Sequence, residues 1–290
     1  MKKLSILCAA LAVAALSFTS CQKEESTTNN QKFIASFEQA GNDKFYVDAD
    51  LQMYWHIYGW NDIAVYALGF ADINGYSFIN YHPSSISANG KTAVLEQKHQ
   101  YGIPDVPADQ QGPFYAISDA ISRETSHINS DGSFHVGAPY TNLYYMPMVG
   151  RAENFGTMQF KHILGILKVY VNLPEGYTAS DVNMRTVNPA YNPTVINSCD
   201  VTWDANGEIT LSNIEKAYTS YNSFFFRGNG YFYRQVCPGD WTKIIFYVDA
   251  QDGTGNRISF FNAMNDNASI HIERAGITTI TLNITMDDVD

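Results

Sequence analysis

Ile277-Thr278-Thr279-Ile280-Thr281-Leu282-Asn283-Ile284-Thr285-Met286 is the segment that decides the fold class, because apolar and polar side chains alternate over most of its length. In an extended chain, Ile280, Leu282, Ile284 and Met286 lie on one face, and the threonines and the asparagine between them lie on the other. A period of two is typical of a β-strand that buries one face. The sequence therefore predicts that the chain ends in a half-buried strand.

Segments with strand character recur along the whole chain, and short turns separate them. Turn pairs such as Asn206-Gly207 and Asp252-Gly253 stand between the apolar runs. No apolar run at helical spacing is long enough to compete. We therefore predict an all-β protein, whose strands include residues 33–37, 63–68, 157–173 and 231–236.

The composition indicates a folded, acidic protein. Of the 290 residues, 45% are hydrophobic and only 16% are charged, so the chain has enough apolar side chains to build real cores. The 19 Tyr and 17 Phe favour strands over helices. A formal net charge of −11 leaves no broad basic surface for phosphates. We therefore predict that nucleic acid is not a partner.

The N-terminus has the layout of a secretory signal. Lys2 and Lys3 precede an apolar run, residues 4–16, that is too short to remain as a membrane-spanning helix. Phe18-Thr19-Ser20-Cys21 then resembles a bacterial lipoprotein cleavage site, at which the cysteine becomes the lipid-modified N-terminus. We predict a signal peptide over residues 1–20 and a lipid anchor in the outer membrane at Cys21. The alternative is an ordinary signal peptide followed by an incidental cysteine.

The composition of the remaining chain predicts its domain organisation. Residues 21–32 are polar and rich in Ser, Thr and Asn, so they bury too little apolar surface to fold and form a flexible tether. Leu173-Pro174-Glu175-Gly176 combines a strand breaker with a turn, and we place a domain boundary there. This gives an N-terminal domain over residues 33–176 and a C-terminal domain over residues 177–290.

Two cysteines remain in the predicted folded part, Cys199 and Cys237. Export to an oxidising compartment permits a disulfide between them. Cysteines in or near apparent strands are equally typical of small, buried apolar side chains. Both alternatives stay open from the sequence.

Motifs for catalysis, cofactors or metals do not emerge from the sequence. His127 and His135 lie eight positions apart across an Asp-Gly turn, which is not a spacing of a known metal site, so we predict none. Gly90-Lys91-Thr92 lacks the first glycine of a phosphate-binding loop and is interpreted as a hairpin turn. No nucleophile elbow occurs, and neither Cys199 nor Cys237 has a histidine nearby in sequence. We therefore expect neither an enzyme nor a cofactor-binding protein.

Several segments, taken together and in order, resemble the fimbrillin family of Bacteroidetes. The similar segments are Trp60-Asn61-Asp62-Ile63-Ala64-Val65-Tyr66, Tyr145-Met146-Pro147-Met148-Val149-Gly150, Met158-Gln159-Phe160-Lys161-His162-Ile163-Leu164-Gly165-Ile166-Leu167-Lys168-Val169, Val236-Cys237-Pro238-Gly239-Asp240-Trp241 and Ile277-Thr278-Thr279-Ile280-Thr281-Leu282. The resemblance implies two transthyretin-like β-sandwich domains. It also implies a surface-exposed subunit of fimbriae, or a fimbria-associated adhesin, with other fimbrial subunits as partners.

In the resembled family, a protease removes the first strand of polymerising subunits, and a strand from another subunit fills the groove. By that resemblance, residues 33–37 are the strand to be removed and Ile280, Leu282, Ile284 and Met286 belong to the donor. In that family the protease typically cuts after an arginine, whereas the basic residues at which it could cut around the first strand of this chain are Lys32 and Lys44. Cleavage after Lys44 releases the strand, but cleavage after Lys32 only trims the tether. The alternative is that both strands belong to their own domain, in an anchor or tip subunit.

A second hypothesis is a surface lipoprotein that binds glycans. Phe224-Phe225-Phe226 and Tyr231-Phe232-Tyr233 place aromatic rings on both faces of a strand. Exposed rings stack on sugar faces or lie beneath a neighbouring protein, whereas covered rings belong to the core. The partner on this hypothesis is a polysaccharide, and on the first it is another subunit, a host protein or a host glycan.

Overall fold

The structure is a computed structural model. It describes residues 31–37, 62–70, 77–88, 91–98, 105–107, 109–118, 124–137, 147–186, 196–216, 224–227, 230–264 and 268–289. Almost all the regular secondary structure of these residues is β-strand, so the prediction of an all-β protein is confirmed. A helix with the length and apolarity needed to cross a membrane is not found among them. The division into two transthyretin-like sandwiches stays a prediction.

Twenty strands are defined in these ranges. In chain order they are β1 (Phe33–Phe37), β2 (Ile63–Tyr66), β3 (Phe78–Ile86), β4 (Thr92–Gln97), β5 (Phe114–Ile117), β6 (His127–Ile128), β7 (Phe134–Gly137), β8 (Met148–Ala152), β9 (Gly156–His162), β10 (Gly165–Asn172), β11 (Tyr177–Thr186), β12 (Ile196–Trp203), β13 (Ile209–Lys216), β14 (Phe225–Arg227), β15 (Tyr231–Val236), β16 (Gly239–Thr242), β17 (Ile244–Asp252), β18 (Arg257–Ala263), β19 (Ser269–Ile272) and β20 (Ile277–Asn283). A short 3₁₀ helix spans Met286–Asp288.

The first structural unit is a seven-stranded sheet that closes on itself, hereafter the closed sheet. Its strand order is β1-β4-β3-β2-β5-β8-β9, and β1 joins the two ends by pairing with both β4 and β9. Alternation in β4 shows why it forms: Ala93, Leu95 and Gln97 are buried and the residues between them are partly exposed. The inward side chains, Phe33, Leu95, Phe114 and Phe160 among them, form one continuous apolar core.

A second and larger core lies on the other side of β2 and β5. Tyr66 and Tyr115 point away from the interior of the closed sheet and pack with Phe134 at ring-centroid distances of 5.0 and 5.5 Å. Four more sheets surround this core. Their strand orders are β14-β15-β10-β20, β11-β17-β18, β13-β12-β7-β6 and β16-β19.

Strands from both sides of the predicted boundary at residue 176 share sheets. β10 pairs antiparallel with β15 and parallel with β20, and β7 pairs antiparallel with β12. Three strand pairings, in two sheets, therefore cross this position within the described residues. The boundary itself stays a prediction, but the strands on its N-terminal side contribute to both cores.

The predicted single strand over residues 157–173 is wrong, because it is two strands. β9 belongs to the closed sheet, whereas β10 belongs to the sheet of β15 and β20. Between them, Ile163 and Leu164 are both fully buried, which breaks the alternation as the chain passes from one sheet to the other. At the next residue, a Cβ on Gly165 would lie 2.4 Å from the carbonyl oxygen of Glu273, so only glycine fits this crossing.

Candidate strand-exchange site

Strand β1 lies between two strands and buries alternate side chains. Phe33 and Ala35 are fully buried, whereas Ile34 is 53% exposed. Phe33 lies opposite Leu95 in the antiparallel pair with β4 and opposite Gly156 in the parallel pair with β9. Removal of β1 would therefore leave unpaired backbone groups on two strands and an apolar trough between them.

Phe33 is the main apolar contact of β1. Its ring centroid lies 5.4 Å from that of Tyr81 and 5.3 Å from those of both Phe114 and Phe155. The contacts with Tyr81 and Phe114 are edge-to-face, a geometry that adds to the free energy gained by burial alone. Aromatic side chains from three other segments thus form the pocket that a replacement strand would have to fill.

Lys32, the first predicted cleavage residue, is tied into the closed sheet. Its carbonyl accepts a hydrogen bond from the backbone N–H of Gly156 at 3.1 Å, and its Nζ lies 2.7 Å from Oε1 of Glu96. The hydrogen bond from Lys32 lowers the pKa of Glu96, which keeps this exposed pair charged. Because Phe33 directly after it is buried, a protease reaches the Lys32–Phe33 bond only after β1 has detached.

Residue Gln31 extends this attachment by one position. Its side-chain Nε2 donates a hydrogen bond to the carbonyl of Val106, whose own N–H donates to Oε1 of Gln97 at 3.0 Å. Gln31 is only 5% exposed, so it belongs to the folded part rather than to the predicted tether, and so does Lys32. The structured chain therefore includes the last two residues of the predicted tether over residues 21–32.

The predicted donor segment lies in β20 and the residues after it. β20 pairs in parallel with β10 and has no second partner within the described residues, which makes it an edge strand there. Leu282 and Ile284 are buried, and Ile280 is partly buried against the larger core. In the intact chain, this segment therefore packs in its own sheet.

The alternation of this segment ends earlier than the sequence predicts. The N–H of Ile284 donates to the carbonyl of Asn172 at 2.9 Å, and pairing stops there. Asp288 then accepts hydrogen bonds from the backbone and the hydroxyl of Thr285, and a 3₁₀ helix begins. Met286 lies in that helix and is 51% exposed, so the placement of Met286 on the buried face is wrong.

Cys199 and Cys237 are both free thiols in the structure, and both are buried in the larger core. Burial raises the pKa of Cys199 to about 12 and also raises the pKa of Cys237. This corresponds to the second alternative from the sequence, two small apolar side chains. Cys21 and Lys44 lie outside the described residues.

The aromatic run that suggested glycan stacking is covered. Tyr231, Phe232 and Tyr233 are each at most 2% exposed, and Phe224 is 4% exposed. Residues 225 and 226 lie in β14, but their side chains are outside the description. Phe232 belongs to the larger core, and none of the rings of residues 231–233 offers a surface to a sugar.

A different aromatic surface, not predicted from the sequence, lies on the outer face of the β11-β17-β18 sheet. We call Tyr247, Phe261 and Arg185 the aromatic patch. Tyr247 and Phe261 are directly opposite each other with ring centroids 5.5 Å apart, and Phe261 is 37% exposed. The guanidinium carbon of Arg185 lies 4.7 Å from the ring centroid of Tyr247. The alternation of side chains along β17 could have predicted this surface, because it places Tyr247 on the other face of the sheet from the buried Phe246 and Val248.

Comparison with known proteins gives structural matches only. No family model matches the chain, and no curated protein matches its sequence. A proposed cell adhesion protein from Bacteroides uniformis is 12% identical with a TM-score of 0.48, over 90% of this chain and 96% of the other.

Two further solved structures cover similar shares of the chain. A proposed cell adhesion protein from Bacteroides ovatus is 10% identical with a TM-score of 0.49, over 90% of this chain and 95% of the other. A fimbrial assembly protein from Parabacteroides distasonis is 10% identical with a TM-score of 0.42, over 89% and 92%. These names are of the kind that the sequence resemblance to fimbrillins implies.

Proposed function

We propose that this protein is a surface-exposed fimbrial subunit or fimbria-associated adhesin that reaches the outer membrane as a lipoprotein anchored at Cys21. Its partners are other copies or other fimbrial subunits, and it has no catalytic role. The observation that carries the proposal is the position of β1, which is the first strand of the described residues and pairs with a strand on each side.

The chemistry of exchange follows from this position. A strand that replaces β1 must supply backbone groups to both β4 and β9 and apolar side chains at alternate positions. Ile280, Leu282 and Ile284 have that spacing, and β20 has one unpaired edge within the described residues. On this proposal, cleavage after Lys44 frees β1, and the donor segment of the next subunit enters the trough.

A peptide-binding experiment tests the exchange. The protein is cleaved with a lysine-specific protease, β1 is removed in denaturant, and the refolded remainder is mixed with a peptide of residues 277–286. We expect saturable binding to the cleaved protein and none to intact protein or to an uncleaved Lys44→Gln variant. A peptide carrying Leu282→Asp and Ile284→Asp is the matched control. Equal binding of both peptides, or binding of neither, would contradict strand exchange.

The N-terminal peptide of the protein from the cell surface separates the subunit types. Mass spectrometry that finds a start after Lys44 supports a polymerising stalk subunit. A lipid-modified Cys21 on the mature protein supports an anchor or tip subunit that keeps β1. A start at Gln22 or upstream of Cys21, without lipid, would contradict the lipoprotein proposal.

Glycan binding is the second candidate function, and the aromatic patch is the observation that favours it. Exposed rings beside hydrogen-bonding groups suit stacking on a sugar, and Asn183 lies across from Tyr247 in the sheet. A carbohydrate array tests this: Tyr247→Ala should abolish saturable binding, and Tyr170→Ala, a partly exposed ring on another sheet, should not. Absence of binding to any glycan would contradict the hypothesis.

A further inference from the structure

Two histidines that are eight positions apart in sequence face each other in the structure. β6 and β7 form a hairpin in which His127 lies directly opposite His135. The two ring centroids are 4.7 Å apart and the ring planes differ by 31°. His127 is exposed, and 27% of the His135 side chain is exposed, so both imidazoles are accessible from solvent.

Hydrogen bonding occupies the same nitrogen, Nδ1, in each ring. Nδ1 of His135 lies 2.8 Å from Oδ1 of Asp200, and Nδ1 of His127 lies 3.4 Å from the carbonyl oxygen of Thr125. Carbonyl and carboxylate oxygens only accept, so each neutral ring carries its proton on Nδ1 and keeps a lone pair on Nε2. Neither Nε2 makes a hydrogen bond to the described part of the chain.

Asp200 is held firmly in the position that orients His135. Asn213 Nδ2 donates to its Oδ2 at 2.7 Å, and Asn129 Nδ2 donates to its Oδ1 at 3.1 Å. Burial raises the pKa of Asp200, but the hydrogen bonds from Asn213, His135 and Asn129 outweigh burial and keep its pKa below the usual value. A carboxylate behind a histidine in this way fixes the tautomer and raises the basicity of the nitrogen that faces a metal.

We propose that His127 and His135 form a surface site for a divalent transition-metal ion of the Cu²⁺, Ni²⁺ and Zn²⁺ class, bound through both Nε2 atoms. Imidazole nitrogen is a preferred ligand of these ions and a poor ligand of Mg²⁺ or Ca²⁺. No three His, Cys, Asp or Glu side chains converge among the described residues, so this chain supplies two ligands. Water or a donor atom from another molecule completes the coordination.

The chain contains a matched control for this site. His271 on β19 lies opposite Asp240 on β16, and its Nδ1 is 2.7 Å from Oδ1 of that carboxylate. His271 thus has the same carboxylate contact as His135 and a more exposed side chain, 64% against 27%, but no imidazole is paired with it within the described residues. If a single oriented imidazole were sufficient, His271 would bind the metal as well as the pair does.

Isothermal titration of the tag-free, full-length protein with NiCl₂ and with ZnSO₄ tests the proposal. We expect one saturable site per chain, at least tenfold weaker binding in His127→Gln and in His135→Gln, and unchanged binding in His271→Gln. His127 is exposed, so its substitution leaves the fold intact, which circular dichroism verifies. Absence of saturable binding to the wild type, unchanged affinity in His127→Gln, or an equal loss in His271→Gln would overturn the proposal.

Discussion

Replacing Phe33 with alanine measures how strongly β1 is attached. Phe33 is fully buried among Tyr81, Phe114 and Phe155, so truncation removes apolar burial and leaves a cavity. Phe→Ala in a core costs about 3–5 kcal/mol, and the edge-to-face contacts place this site in the upper part of that range. We therefore expect the free energy of unfolding to fall by about 4–5 kcal/mol.

The neighbouring residue provides the control. Ile34 is 53% exposed on the opposite face of the same strand, so Ile34→Ala should cost less than about 1 kcal/mol. Urea unfolding followed by circular dichroism measures both variants, and an unchanged slope shows that they unfold by the same transition. A loss below about 1 kcal/mol in Phe33→Ala would refute the reasoning, because β1 would then not be part of the core.

Three further predictions concern other parts of the chain. Gly165→Ala should lower the free energy of unfolding by about 1–3 kcal/mol, because the added Cβ would meet a backbone carbonyl in the β19–β20 turn. Gly253→Ala is the control and should be near neutral, because a Cβ there has nothing within 4 Å. Urea unfolding measures both variants. Cys199 and Cys237 should resist a thiol reagent at about pH 8 in the folded protein, since burial raises the pKa of each thiol. Both should react once the protein is denatured without reductant. Failure to react in the denatured protein would indicate a disulfide. Hydrogen bonds from Thr254 and Asn256 lower the pKa of Asp252 to about 2, so its stabilising effect is present above about pH 4 and is lost as pH falls towards 2. The difference in unfolding free energy between wild type and Asp252→Asn should therefore shrink over that range, and a constant difference would contradict this.

Local structure was largely predictable from the sequence. The predicted strands over residues 33–37 and 231–236 coincide with β1 and β15, because alternation and turn residues act within a few positions. The strand with which each strand pairs was not predictable in the same way. The sequence of residues 157–173 does not indicate that β9 pairs with β1 and that β10 pairs with β15 and β20. Those pairings depend on segments far away along the chain.

The candidate sites show the same limit. The spacing of His127 and His135 argued against a metal site, yet the register of a hairpin brings the rings together and the distant Asp200 orients one of them. Alternation correctly placed Leu282 and Ile284 on a buried face, but it overran the strand end, because hydrogen bonds to Asp288 begin a helix at Met286. Partly exposed Tyr247 and buried Tyr233 are both strand tyrosines, and only the layers packed above each of them decide which ring meets solvent.

The two neighbours of β1 also set an order on folding. Phe33 meets Leu95 on one side and Gly156 on the other, and the second contact spans roughly twice as much chain as the first. Doubling a loop adds only about 0.6 kcal/mol of closure entropy, so the parallel pairing is not costly at equilibrium. During synthesis, however, the chain carries an open strand edge until β9 has emerged, and open edges invite pairing with other chains. Protection of the closed sheet against aggregation is therefore among the last properties that this part of the protein acquires.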